Sequence, residues 1–217
     1  MTPSDLAAVE AGIRAFEART GIEVVAAVVE RSDRYHGLRW RAFAAGASLA
    51  ALAAVVIDLL RPDWTGAHAA LITAVTILTA GLACALLATL SRSFERLFLQ
   101  RERAEGEARQ RAKALFLERE LFATPGRTGV LLFASRYERV AVVVGDRGYG
   151  GRVSDAEWER VVRAMTTRFR EGDAGAAFGA GLDSLERLLA EKGFRRGEGA
   201  TGNVLPDRPL EPDEDGR

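Results

Sequence analysis

The sequence predicts an α/β fold, a small central sheet flanked by helices and interrupted by a two-helix transmembrane hairpin. Three observations predict it. Two nearly uncharged runs lie side by side between Ala42 and Leu90, short β-branched runs lie on both sides of them, and most of the remaining chain reads as amphipathic helix. Thirty basic residues balance thirty acidic ones among 217, so whole-chain basicity gives no support to nucleic-acid binding. That neutrality averages over segregated regions. From Ala42 to Leu90 the only charges are Asp58, Arg61 and Asp63.

Ser4 is placed to cap a first helix whose apolar stripe is Leu6, Val9, Ile13 and Phe16, ended by Thr20-Gly21. Ile22 to Val29, IEVVAAVV, reads as a strand covered on both faces. One helix and one strand bury too little surface to fold alone, so residues 1–38 require partners from further along the chain. Within residues 41–90, Ala42–Leu60 and Ala67–Leu90 are each long enough to cross a hydrocarbon core of roughly 30 Å at about 1.5 Å per residue. The turn at 61–66, RPDWTG, supplies Pro62 and Gly66 as breakers and Trp64 as an interfacial residue. Asp58 lies three residues before Arg61 and reads as a carboxylate reaching the interface.

Orientation follows from the flanks. Arg31, Arg34, Arg39 and Arg41 precede the hairpin, and Arg92, Arg96, Arg101, Arg103, Arg109, Arg111 and Lys113 follow it, against Arg61 alone in the turn. The positive-inside rule therefore predicts a two-pass protein of the bacterial inner membrane with its soluble domain and both termini in the cytoplasm.

Residues 91–194 supply the rest of the domain. A long helix runs from Ser91 to about Phe122, with Ala104, Ala108, Ala112 and Phe116 at four-residue spacing, and Thr124-Pro125-Gly126 breaks it. Thr128–Ala134 and Arg139–Val144 are strands whose four-residue connection demands an antiparallel hairpin. Ser154 and Glu157 form a capping box for a helix with Trp158, Val161, Val162, Met165 and Phe169 on one face. Asp173 caps a last helix carrying Phe178, Leu182, Leu185, Leu188 and Leu189, and residues 195–217 read as a flexible tail.

The glycine cluster GDRGYGG, Gly145 to Gly151, follows a strand and precedes a helix, where a phosphate cradle would sit. Arg147, Gly148 and Gly150 are its anion-binding candidates, and a sharp glycine turn is the competing reading. Asp146 is the candidate ligand for Ca²⁺ or Mg²⁺, without the spacing of an EF-hand. No catalytic residue stands out: there is no zinc-type Cys/His cluster and no Gly-x-Ser-x-Gly elbow. His36 and His68 are separated by a span, and Cys84, the single cysteine, lies mid-span as a packing residue. The arginines from 92 to 111 alternate with Glu95, Glu102, Glu105 and Glu107, which reads as a solvated helix anchored at the membrane edge.

Several blocks, taken in order, resemble the TPM domain, the family of the thylakoid lumen phosphatase-like proteins. They are Thr20-Gly21-Ile22-Glu23-Val24-Val25, Arg127-Thr128-Gly129-Val130-Leu131-Leu132-Phe133 and Arg139 to Gly148, followed by Trp158, Phe169 to Asp173, and Asn203-Val204-Leu205-Pro206-Asp207. The resemblance covers most of the chain outside Arg41 to about Arg103. It implies an α/β sandwich, and a membrane-anchored bacterial branch of the family. Some members have been described as acid phosphatases and some bind Ca²⁺, while others act as assembly or repair factors or receptor accessories. This sequence departs from the family pattern in placing its hairpin inside the domain and in having Gly151-Arg152 where an acidic residue often occurs. The expected protein is a membrane-anchored, non-enzymatic interaction, assembly or quality-control module whose partners are the bilayer and other membrane proteins. A metal-assisted acid phosphatase, with Asp146 as ligand and Arg147 as phosphate contact, is the alternative.

Overall fold

Three strands form the sheet in the order β1-β2-β3: β1 is Val24–Val29, β2 Val130–Ser135 and β3 Val140–Gly145. The computed structural model describes residues 2–32, 37–60, 67–91, 94, 97–98, 101–124, 126–194 and 209. The 61–66 turn, His36, Arg34, Arg92, Arg96, Pro125 and the closing block at 203–207 lie outside the described residues, as does the tail apart from Pro209, which is buried.

β1 and β2 pair in parallel, Val24 opposite Val130 through Val29 opposite Ser135, and β2 and β3 pair antiparallel. The antiparallel pairing expected from the short connection is therefore present, with each strand shifted a residue or two from its expected ends. Parallel neighbours require a crossover, and here it contains everything from residue 30 to residue 129.

The sheet is covered on both faces, and strand alternation decides which side chain goes where. Val24, Ala26 and Val28 of β1, with Val130, Leu132 and Ala134 of β2, meet the helices α1 (Pro3–Thr20), α5 (Asp155–Arg170) and α6 (Ala174–Glu191). Val25, Ala27, Val29, Leu131 and Phe133 point the other way, onto α4 (Arg101–Glu118) through Ala108, Ala112, Leu115 and Phe116. The expected stripes are the faces that pack: Val9, Ile13 and Phe16 of α1, Val161, Met165 and Phe169 of α5, and Phe178, Leu182 and Leu185 of α6 are all buried. β1 is an edge strand by its hydrogen bonds, yet all six of its residues are buried. Its first amide, Val24 N–H, is taken by Glu17 Oε1 at 2.9 Å, which blunts an otherwise open edge.

Two local expectations change. The cap of α1 is Thr2, whose hydroxyl accepts from Asp5 N at 3.2 Å while the Asp5 carboxylate accepts from Thr2 N at 2.9 Å; Ser4 lies inside the helix. Pro3 explains the shift, because its fixed φ and missing N–H suit the first helical position. The long helix expected from Ser91 to Phe122 is interrupted. Ser91 Oγ accepts from Phe94 N, a serine competing locally with helix propagation. Leu97 and Phe98 form a turn, and α4 ends before Glu120, which adopts a left-handed φ of 51°.

The chain divides into two compact units, one of Met1–Asp33 with Ala104–Arg217 and one of Arg34–Arg103. The second holds α2 (Gly37–Leu60) and α3 (Ala67–Leu90). Both are long and apolar enough to cross a membrane. They pack through glycines, which let two helix backbones approach closely. Gly46 lies so close to α3 that a Cβ there would be 2.6 Å from Cys84 Sγ and 2.8 Å from the Ala80 carbonyl oxygen. Gly81 lies as close to the ring of Phe43. Cys84 thus packs in the helix seam. The outward surface is apolar, including Leu59, Leu60, Leu71 and Leu90, and Asp58 and His68 are also exposed.

Candidate functional site

β3 ends at Gly145, whose backbone lies beneath Trp158; a Cβ there would be 2.7 Å from the indole. Asp146 follows in extended conformation and caps one tight turn, Arg147–Tyr149, its Oδ1 accepting from Arg147 N at 2.7 Å. Gly148 N–H donates to the Arg127 carbonyl at 2.8 Å, and Gly150 N–H to the Arg147 carbonyl at 2.9 Å. Gly148 has no room for a side chain, since a Cβ would be 2.5 Å from the Gly126 carbonyl oxygen, and Gly151 sits at φ 75°. Gly148 thus serves a close approach and Gly151 a left-handed turn.

Tyr149 locks the loop from inside. Its ring meets Trp158 edge-on at 5.3 Å and Phe194 at 5.1 Å, and its hydroxyl donates to the Thr128 carbonyl at 2.6 Å. Burial, followed by the Asp146 charge, pushes the phenol far up, so it remains a donor at every physiological pH. Arg127 closes the loop from outside, Nε 2.7 Å from Asp146 Oδ2 and Nη2 3.2 Å from Oδ1. The hydrogen bond to Asp146 raises the guanidinium further above its ordinary value.

An anion cradle needs backbone N–H groups aimed outward, whereas those of Arg147 and Gly150 are engaged within the loop and that of Gly148 with the Arg127 carbonyl. Arg147 keeps an exposed side chain as the remaining anion contact. Asp146 does not fit a Ca²⁺ or Mg²⁺ ligand well, because its carboxylate is 4% exposed and accepts three donors. Among the described residues, no three His, Cys, Asp or Glu side chains are grouped to hold a metal ion.

This ion pair is asymmetric, since the Arg127 side chain is half-exposed. Removing the arginine strands a buried carboxylate, whereas removing the carboxylate leaves a guanidinium in water. Arg127→Met is therefore expected to lower the urea midpoint of the detergent-solubilised chain more than Asp146→Asn does. The reverse order would mean that the pair is not closed in solution.

A second polar cluster, at the carboxyl ends of β1 and β2, had no sequence signature. Glu138 is buried, accepting from Ser32 N at 2.9 Å and from the Ser135 hydroxyl. Arg136 N and Tyr137 N donate to the carbonyls of Val29 and Glu30, and Arg31 lies over the Tyr137 ring at 4.2 Å. A serine bonded to a carboxylate can be an activated nucleophile. Ser135, however, is fully buried. The cluster fastens the β2–β3 turn to the exit of β1.

The amino end of α5 carries a third clasp. Lys192 Nζ is 2.8 Å from Glu157, whose carboxylate also accepts from Ser154 N and Oγ at 2.9 Å. Lys192 foremost, then Ser154, lower the Glu157 carboxyl from 4.5 to about 2. A carboxyl held lower in the folded chain contributes stability that is complete above about pH 4.5 and lost as pH falls toward about 2. The midpoint advantage of the wild type over Glu157→Gln is expected to shrink across that window in thermal melts. An advantage unchanged by acid would contradict the clasp.

Residues 95–188 match the family model described as TPM domain. Among solved structures, the chain is similar to the NMR structure of BA42 protein from the psychrophilic bacterium Bizionia argentinensis. The identity is 15% and the TM-score 0.57, over 97% of this chain and 94% of that one. No curated protein matches the sequence.

Proposed function

We propose that this chain, whose residues 95–188 match the TPM-domain model, is a TPM-domain protein held in the bacterial inner membrane by α2 and α3, and that it works by docking other membrane proteins. The observation that carries the proposal is the hairpin. Two 24-residue helices interlock through Gly46 and Gly81 and present leucines outward from Leu49 to Leu60 and from Leu71 to Leu90. Water is a poor solvent for such a surface, and lipid a good one. The glycine loop supports docking over catalysis, because its amides and its carboxylate hold the fold together. Arg39 and Arg41 at the start of α2, with the basic residues of α4, favour a cytoplasmic domain.

Topology is tested with single cysteines in a Cys84→Ala background. Trp64→Cys is expected to react with an impermeant thiol reagent outside intact cells, and Gly216→Cys only after lysis. The opposite pattern places the domain outside. Activity is tested on a generic phosphomonoester with the full chain, with and without Ca²⁺ or Mg²⁺. Metal-dependent turnover lost in Arg147→Gln would replace docking with phosphatase chemistry. Crosslinking in native membranes, read by mass spectrometry, is expected to recover integral membrane proteins.

A further inference from the structure

Resting on the membrane-spanning reading of α2 and α3, we propose that the first turn of α2 is a contact for anionic phospholipid headgroups, made by Arg39 and Trp40. Length comes first. A helix of 24 residues is about 36 Å long at 1.5 Å per residue, roughly 6 Å more than the hydrocarbon core. The surplus falls at one end. From Ala42 onward the only charge in α2 is Asp58, and the helix closes on Leu59 and Leu60, both 77% exposed. The turn left at headgroup level is therefore Gly37–Arg41.

That turn presents an indole and a guanidinium outward. Trp40 is 73% exposed and belongs to neither core cluster. Its ring stands edge-on to Phe43 at 6.0 Å, and Phe43 is seated on the bare backbone of Gly81, so the indole is backed by the helix seam. Arg41 is turned inward, its Nη1 3.4 Å from the Phe98 carbonyl, while Arg39 is exposed beside Trp40. The Arg41 contact also brings Phe98 to this level, with Phe94 edge-on to it at 5.5 Å and the neighbouring Leu97 exposed. An aromatic belt of this kind marks an interface. Arg39 adds selectivity, because a guanidinium pairs bidentately with phosphate and is drawn to a negative leaflet. Near the other end of α2, Asp58, Arg61 and Asp63 carry no net positive charge, so the attraction favours the Arg39 side.

The test uses the full chain with Trp64→Phe and Trp158→Phe, reconstituted in phosphatidylcholine vesicles. These contain an equal mole fraction of either brominated phosphatidylcholine or brominated phosphatidylglycerol. At low salt, quenching of Trp40 is expected to be at least twofold greater with the brominated anionic lipid, and Arg39→Gln is expected to abolish the difference. Equal quenching by the two lipids would overturn the headgroup contact while leaving the spanning reading intact. No quenching by either would overturn both. Should the Trp158 substitution disturb the domain, the difference in quenching between the wild type and Trp40→Phe reads the same quantity.

Discussion

Gly129→Ala is expected to destabilise the domain by about 3 kcal/mol, near the upper end of overpacking effects. An added Cβ would overlap the Leu121 carbonyl oxygen, a backbone atom that cannot swing aside. Both neighbouring groups are fixed. Thr124 Oγ1 accepts from Thr128 N and Gly129 N at 3.1 Å, and the Gly129 carbonyl accepts from Asp146 N at 3.0 Å. Relieving the overlap would pull β2 away from the loop at its start. Gly106 makes the internal comparison: it lies in α4 with nothing within 4 Å of a Cβ. Gly106→Ala is expected to stabilise by roughly 0.5–1 kcal/mol, the ordinary helical preference for alanine. Urea midpoints of the detergent-solubilised chain, followed by far-UV circular dichroism, separate the two. A Gly129→Ala midpoint at or above the wild-type value would sink the packing described for this turn.

Gly46→Leu is expected to separate α2 from α3 at a cost of about 2 kcal/mol. Its new side chain would meet Cys84 and the Ala80 carbonyl, and the carbonyl is a backbone atom that cannot swing aside. Leu59→Ala, on the outward surface, is expected to change little, because on the membrane-spanning reading lipid tails would solvate leucine and alanine alike. Titration with sodium dodecyl sulfate, read by the helical signal, distinguishes a lost interface from a lost lipid contact. Equal sensitivity of the two variants would mean that the helices are not packed through Gly46.

What could be read in advance followed the range of each interaction. Capping by Glu157 and Asp173, the buried stripes of α1, α5 and α6, and the two apolar helices are set by residues within a turn or two of one another. Arg127 and Asp146 are 19 positions apart, and Ser32 and Glu138 106 apart. Neither pair has a spacing that announces it. Asp146 beside glycines suggested a ligand because its partner was invisible until the β3 loop was seen against the start of β2. The glycines were ambiguous for a related reason: an amide aimed at an anion and one aimed at a neighbouring carbonyl have the same sequence. The break after Ser91 has no breaker residue to announce it, and a serine hydroxyl that takes the Phe94 amide has the same sequence as one that does not.

The parallel pairing of β1 with β2 sets an order of events during synthesis. Val24 is made 106 residues before its partner Val130, an interval of roughly 5–20 s at ordinary elongation rates. During that interval β1, six apolar residues with an open hydrogen-bonding edge, has left the ribosome without its neighbour. Both apolar helices emerge before the neighbour does. On the membrane-spanning reading of α2 and α3, insertion of the hairpin can begin before the sheet is complete, and a chain whose hairpin failed to insert would expose β1 together with two apolar helices. For this topology, a delay in targeting is an aggregation hazard, and a chaperone that shields residues 24–29 would act before any folded surface exists.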